Sequence, residues 1–253
     1  MGEAMSAPVL QARGLGKSFG GFRALNDVSA DFAAGRLTSI IGPNGAGKST
    51  FFNLLAGAFP PSDGRILFQG RDITGLPQHR FARFGIAKSF QITSVFPRLS
   101  VHENVRVAKQ ALTTRWNMFS ARDSLPGLAD AADTLLERLG LIAHRNRPAG
   151  ELAHGEQRAL EVAMALAADP ALLLLDEPTA GMSPEETRGF MDLLRLLAAE
   201  RTVILVEHKM RLVMGVSDHI IVLHHGEKLA EGTPDDIRHN DNVKRVYLGQ
   251  RAI

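Results

Sequence analysis

The residues most suited to chemistry start at Gly42-Pro43-Asn44-Gly45-Ala46-Gly47-Lys48-Ser49 and continue into Thr50, a stretch that fits the phosphate-binding pattern G-x-x-x-x-G-K-[ST] without a mismatch. Glycines at 42, 45 and 47 let successive backbone N–H groups turn inward around an anion without Cβ clashes. A helix beginning at this point adds the positive end of its dipole. Lys48 then meets the terminal phosphates as a point charge, and the Ser49 hydroxyl suits a Mg²⁺ ion bridging them. The bland alternative is a glycine turn before an ordinary helix, which the full pattern in a strand, loop, helix setting argues against.

Two further groups end apolar runs. Asp176-Glu177 follows Ala171 to Leu175, where Asp176 suits a carboxylate that holds Mg²⁺ directly or through water. Glu177 is placed to orient or deprotonate an attacking water, and the competing reading is a solvated turn before Pro178. His208 follows Thr202 to Val206 and Glu207; a lone histidine there is usually structural, so its weight comes from the company it keeps. His224-His225 resembles a metal pair only on paper, because neighbours on a strand face opposite sides. Phe19 precedes the loop where an exposed aromatic could stack on a purine or simply close a strand, and position alone leaves both readings open.

The surrounding elements must bring these groups together. Val9 to Phe19 and Ala24 to Phe32 read as antiparallel strands about the turn Gly20-Gly21. Arg36 to Ile41 reads as a buried strand and Ser49 to Ala56 as a helix. Pro60 to Gly64 is a turn before a short strand at Arg65 to Phe68. From Val101 to Gly140 the pattern is mostly helical, broken at Pro126-Gly127, and reads as an inserted helical subdomain. Glu156 to Asp169 is an expected helix stopped by Pro170, and Ser183-Pro184-Glu185-Glu186 caps another that runs to Ala199. Ligands in such folds sit at the carboxyl ends of parallel strands, so residues 42 to 49, 176 to 177 and 208 are expected on one edge.

Composition narrows the field. The chain has 253 residues, 45% hydrophobic and 22% charged, which suits a globular core, and its net charge of +2 comes without the long Lys/Arg blocks of a nucleic-acid tail. It has no cysteine, which excludes disulfides and thiolate metal sites and fits a reducing compartment. No run of about 18 apolar residues is present, so no single segment is expected to span a membrane.

In order and spacing, the phosphate loop, Gln91, Leu152-Ala153-His154-Gly155-Glu156-Gln157, Leu172 to Glu177 and His208 resemble the ATP-binding subunit of an ABC transporter. The segment from Leu152 is similar to the family signature L-S-G-G-Q. Ser89-Phe90-Gln91, Gly155-Glu156-Gln157-Arg158, Ala180 to Pro184 and Val206-Glu207-His208 resemble the branched-chain amino acid importer type. The stretch from Thr113 to Leu128 and the ending Val246-Tyr247-Leu248-Gly249 look like the larger of the two ATPases in such systems.

The resemblance implies an α/β P-loop ABC ATPase cassette: a RecA-like mixed sheet core, an antiparallel β layer and an inserted α-helical subdomain. It implies one ATPase domain, with 1–91 and 156–253 as catalytic core and about 92–155 as the helical part. ATP and Mg²⁺ are the implied cofactors. ATP would contact Phe19, residues 42 to 50 and, from a facing subunit, Ala153, Gly155 and Glu156. Mg²⁺ would involve Ser49, Gln91 and Asp176, while catalysis would involve Glu177, His208 and Gln91. Implied partners are a second ABC ATPase, integral membrane permease subunits, and indirectly a solute-binding protein outside the membrane, with no nucleic acid; the apolar Val95-Phe96-Pro97 and Leu99 could form the permease docking surface or equally be ordinary core packing. The implied place is the cytoplasmic face of the inner membrane. Alternatives are a soluble ABC ATPase acting on DNA or ribosomes, a transporter ATPase for another substrate, and, less fitting, a small-molecule kinase.

Two departures from the family pattern stand out. Ala153 replaces the signature serine and removes a hydroxyl the pattern would place on the γ-phosphate, a bond to a charged group worth about 1.5 to 3 kcal/mol. Closure across that site is therefore expected to be weaker, with His154 as a candidate substitute donor. Ser183 stands where many relatives carry an aspartate.

Overall fold

The computed structural model describes residues 7–88, 95–113 and 127–248. Contacts divide the chain into one unit of residues 1–86, 171–177 and 194–253, and another of 87–170 and 178–193.

The first unit holds two sheets. Strand β1 (Pro8–Phe19) pairs antiparallel with β2 (Phe22–Ala33), turning at Gly20-Gly21 so that Phe19 lies opposite Phe22. Gly20 takes a left-handed φ of 56°, which a glycine adopts at low cost. Strands β4 (Asp63–Phe68) and β5 (Arg71–Asp72) complete the order β2-β1-β4-β5. The other sheet contains β3 (Leu37–Ile41), β6 (Ile86–Lys88), β7 (Leu172–Asp176), β8 (Thr202–Val206), β9 (His219–His224) and β10 (Glu227–Gly232), in the order β10-β9-β3-β8-β7-β6. Strands β9, β3, β8 and β7 run parallel, and β10 is antiparallel to β9.

Every residue of β3, β7 and β8 is buried, which is why these segments read as unbroken apolar runs. Helix α1 (Lys48–Leu55) contributes Phe51, Phe52, Leu54 and Leu55 to a core shared with Leu10, Phe32, Phe68, Leu174 and Ile204. Burying one such side chain contributes about 1.5 to 3 kcal/mol, so both sheets are fastened through this helix. Short helix α2 (Gln78–Phe81) adds Phe81 to the same core. After β8 come α7 (Met210–Val216) and, past β10, α8 (Pro234–His239) and α9 (Asp241–Leu248).

The second unit is built from α3 (Val101–Thr113), α4 (Leu128–Arg138), α5 (His154–Leu166) and the start of α6 (Pro184–Ala198). Because α5 packs with these helices, the unit reaches past the expected limit near residue 155. Two helix bounds are corrected. Helix α5 starts at His154, not Glu156, because the Glu156 side chain reaches back to the Ala153 N–H at 2.9 Å and so caps the turn from inside. It ends at Leu166, not Asp169, whose φ of 46° lies outside helical space.

Candidate functional site

Strands β3, β8 and β7 are neighbours, and their carboxyl ends release the glycine loop, Glu207-His208 and Glu177 side by side. The loop is shaped by its own packing. A Cβ on Gly42 would lie 2.3 Å from the Leu223 carbonyl oxygen, and one on Gly47, whose φ is 96°, would lie 2.8 Å from Leu25 Cδ2. These two glycines are thus required before any ligand is considered, while Gly45 has open space around it and is favoured by its left-handed φ of 78° instead. Gly226 N–H donates to the Ala46 carbonyl and Asn26 N–H to that of Gly226, tying the loop to β2. Gly47 caps α1 without a side-chain acceptor.

Lys48 Nζ donates to the carbonyls of Gly42 and Pro43, each at 2.9 Å, and so lies across the loop. Burial pushes its pKa down from the ordinary 10.5, opposed by the charges of Glu177 and Asp176. Asn44, Gly45 and Ser49 are exposed, Pro43 and Thr50 half-buried, and Ala46 buried. Asp176 is only 7% exposed and Glu177 is half-buried, which argues against a fully solvated turn. Glu177 has a φ of 43°, sparsely populated for a non-glycine residue and typical of strain held at functional positions. Its N–H donates to the Val206 carbonyl, and its Oε1 stands 3.7 Å from His208 Nδ1. Buried Glu207 accepts the His208 N–H at 3.1 Å.

Phe19 is 48% exposed at the end of β1, which favours a stacking face over a packed strand end. The Phe59 ring meets it edge to face at 5.5 Å between centroids. Lys17 Nζ lies 5.2 Å and 5.0 Å from the Phe19 and Phe59 centroids and donates to the Pro60 carbonyl. Both neighbours escaped the sequence reading, since Phe59 stands far from Phe19 in the chain and lies in no motif.

In the second unit, Ala153 is the N-cap of α5 and is exposed. It offers no oxygen to the helix, as its side chain requires. His154, the candidate substitute donor, has its Nε2–H engaged with the Ala180 carbonyl at 3.1 Å. Gly155 N–H donates to Glu186 Oε1 at 3.1 Å, and Glu156 Oε1 lies 3.0 Å from His144 Nε2. The loop at Phe96 is held rigidly: Asn104 Oδ1 accepts the Phe96 N–H at 2.7 Å and Asn104 Nδ2 donates to the Phe96 carbonyl. Phe96 itself is 49% exposed. Asn104, buried on an otherwise ordinary helix, carried no sequence signal of this role. Gln91 and the segment 114–126 lie outside the described residues. His224 and His225 do not face opposite sides as expected: β9 ends at His224, His225 turns off with a φ of 48°, and the two rings meet edge-on with centroids 4.0 Å apart; among the described residues no group of three or more His, Cys, Asp or Glu could hold a metal.

Comparison with known proteins adds sequence and fold relationships. The ABC transporter family model matches residues 25–180, and the branched-chain amino acid ATP-binding cassette transporter model matches 227–253. The chain is 43% identical to the high-affinity branched-chain amino acid transport ATP-binding protein LivG of Salmonella typhimurium, across 97% of this chain and 100% of that protein. It is 42% identical, with the same coverage, to the high-affinity branched-chain amino acid transport ATP-binding protein BraF of Pseudomonas aeruginosa. Among solved structures, the ADP conformation of an ATP-binding cassette of an ABC transporter is similar with a TM-score of 0.85 at 29% identity, covering 96% of this chain and 100% of that one.

Proposed function

The chain belongs to the ABC transporter family as an ATP-hydrolysing cassette, and from that premise we propose that its ATPase cycle drives uptake of branched-chain amino acids or related small solutes. The observation that carries the substrate class is the near full-length identity with LivG and BraF, both named for branched-chain amino acid transport. The whole chain serves as a single cassette, its helical unit inserted into the ATPase core.

The site supports definite roles. Lys48 and the N–H groups of residues 42 to 50 hold the triphosphate, and Phe19 stacks on the adenine. Glu177 takes a proton from the attacking water, and His208, beside it, contacts the γ-phosphate. The Ser49 hydroxyl and the Asp176 carboxylate are hard oxygen donors that fit Mg²⁺, which ordinarily takes one or two protein oxygens together with phosphates. Bound there, Mg²⁺ would neutralise charge on the phosphates; Gln91 is assigned to the same place by family resemblance.

Two cassettes facing head to tail would hold each ATP between one phosphate loop and the other's α5 start at Ala153, Gly155 and Glu156. ATP then favours the closed pair and hydrolysis releases it. No helix among the described residues is long and apolar enough to cross a membrane. In this reading, which rests on the likeness to transporter ATP-binding proteins, permease subunits provide the channel, with exposed Phe96 as part of the docking surface, and the chain works on the cytoplasmic face. A solute-binding protein outside the membrane delivers the substrate to the permease. Removing this chain from its host should abolish high-affinity uptake of labelled leucine, isoleucine and valine; undiminished uptake of all three would overturn the substrate assignment.

A further inference from the structure

Glu186 is the feature of the second unit that the roles above leave unused. Its Oε1 accepts the Gly155 N–H at 3.1 Å, and its Oε2 accepts the Ser183 N–H at 2.8 Å. Its own N–H donates to Ser183 Oγ at 3.2 Å, so Ser183 and Glu186 form a reciprocal cap at the start of α6. The side chain also fills the space over Gly155: a Cβ there would lie 3.0 Å from Glu186 Oε1, 3.1 Å from Cγ and 3.2 Å from Cβ. Any larger residue at 155 would have to push this side chain aside by a few tenths of an ångström, whatever ligand approaches.

The neighbouring contact points the same way. His154 donates to the Ala180 carbonyl, and a Cβ on Gly181 would lie 3.0 Å from His154 Nε2. The segment 154–155 is therefore fastened to the loop 180–186 at two points within one unit. We infer that Glu186 is a positioning residue that holds the Gly155 amide with an internal carboxylate, in competition with the γ-phosphate of a facing subunit, and so raises the ATP concentration needed to close the pair. This rests on the head-to-tail reading above.

The physical basis is a single donor with two anionic claimants. An N–H at the start of a helix of 13 residues favours negative charge, and Glu186 already supplies it. An arriving phosphate meets a like charge near that amide and must displace the carboxylate or bind beside it, at a Coulombic cost either way. The Ser183 and Gly155 N–H groups hold the Glu186 carboxyl below its ordinary range, so it remains ionised in the working pH range. The missing hydroxyl at Ala153 makes the amide more important to the phosphate, because one donor of the family pattern is already absent.

Glu186→Gln separates charge from shape. The amide keeps the length of the side chain and one acceptor oxygen, which can serve the Gly155 or the Ser183 N–H but not both, and it carries no charge, while Ser183 Oγ still accepts the N–H of residue 186 at the start of α6. In the assembled transporter, this variant should lower the ATP concentration for half-maximal hydrolysis at least about threefold, with the thermal midpoint within about 2 °C of the parent. If Glu186→Gln lowers that midpoint further, Glu186→Asp, which keeps the cap and shortens the reach to Gly155, must still lower half-saturation at least about twofold. An unchanged or raised half-saturation in the stable variant overturns the inference. Ala153→Arg, which places bulk on the facing surface, isolates the underlying reading. If Ala153→Arg stops hydrolysis while Glu186→Gln leaves half-saturation unchanged, only the role of Glu186 falls. Parental turnover in Ala153→Arg would overturn the head-to-tail reading and this inference with it.

Discussion

His208 Nδ1 stands 3.7 Å from Glu177 Oε1, at the adjacent ends of β8 and β7. The strand order alone produces this meeting, since the two residues are 31 apart in the chain, the difference between 208 and 177. Glu177→Gln keeps the side-chain shape but loses the base, so turnover should fall about 10²- to 10⁴-fold with ATP affinity retained. Steady-state hydrolysis with nucleotide titration checks both parts. Glu177→Gly tests the strained backbone separately. Relief of a left-handed φ is worth about 1 to 2 kcal/mol, and glycine's extra chain entropy costs about 0.5 to 1. The thermal midpoint should therefore hold or rise by up to about 4 °C while turnover is lost.

Lys48 presents a different balance. Its ammonium is shared between two loop carbonyls and faces Asp176 and Glu177. Lys48→Ala removes a charge-assisted contact to phosphate, so ATP affinity should drop about 10- to 100-fold by calorimetry. Equal affinity in parent and variant would remove Lys48 from the site.

Phe19 and Phe59 allow the base to be separated from the phosphates. Phe19→Ala should weaken ATP about fivefold and leave inorganic tripolyphosphate binding unchanged, because stacking contributes about 0.5 to 1.5 kcal/mol only when a ring is present. Phe59→Ala, which removes the edge that steadies Phe19, should show a smaller loss of the same kind. Equal weakening of both ligands would mean that Phe19 supports the loop instead of the adenine.

What could be read in advance was what is contiguous. The phosphate loop and the all-buried strands β3, β7 and β8 announce themselves because neighbouring residues carry the whole signal. Their convergence followed from the parallel-sheet rule. The contacts of Glu186 with Gly155 and of Phe59 with Phe19 were not legible, since each joins residues tens of positions apart. The serine, proline and glutamates at 183 to 186 revealed a helix cap, which Glu186 does form; its second bond depends on tertiary placement. The α5 start was misplaced for a local reason: an alanine at the N-cap hides the signal that a serine would give.

A pH prediction follows from Asp133 in the helical unit. Arg145 Nε donates to its carboxylate at 2.6 Å and holds it below the ordinary 3.8, burial opposing the shift. His102 lies 3.6 Å from the same oxygen. Since the folded pKa is depressed, the stabilisation is complete above the unfolded value and lost as pH falls through the folded one. Thermal melts of the parent and Asp133→Asn should differ by a constant amount above about pH 5, with the gap closing as acidification carries the pH below 3.8 and through the depressed folded value. A gap that widens on acidification would contradict the assignment.

The most direct test of the account is the mass of the Glu177→Gln chain by light scattering, alone and mixed with its sister ATPase, in ATP and then in ADP. A nucleotide held between facing cassettes predicts a two-cassette particle in ATP, in at least one of the two samples, that separates in ADP. Single cassettes in both samples at saturating ATP would contradict it.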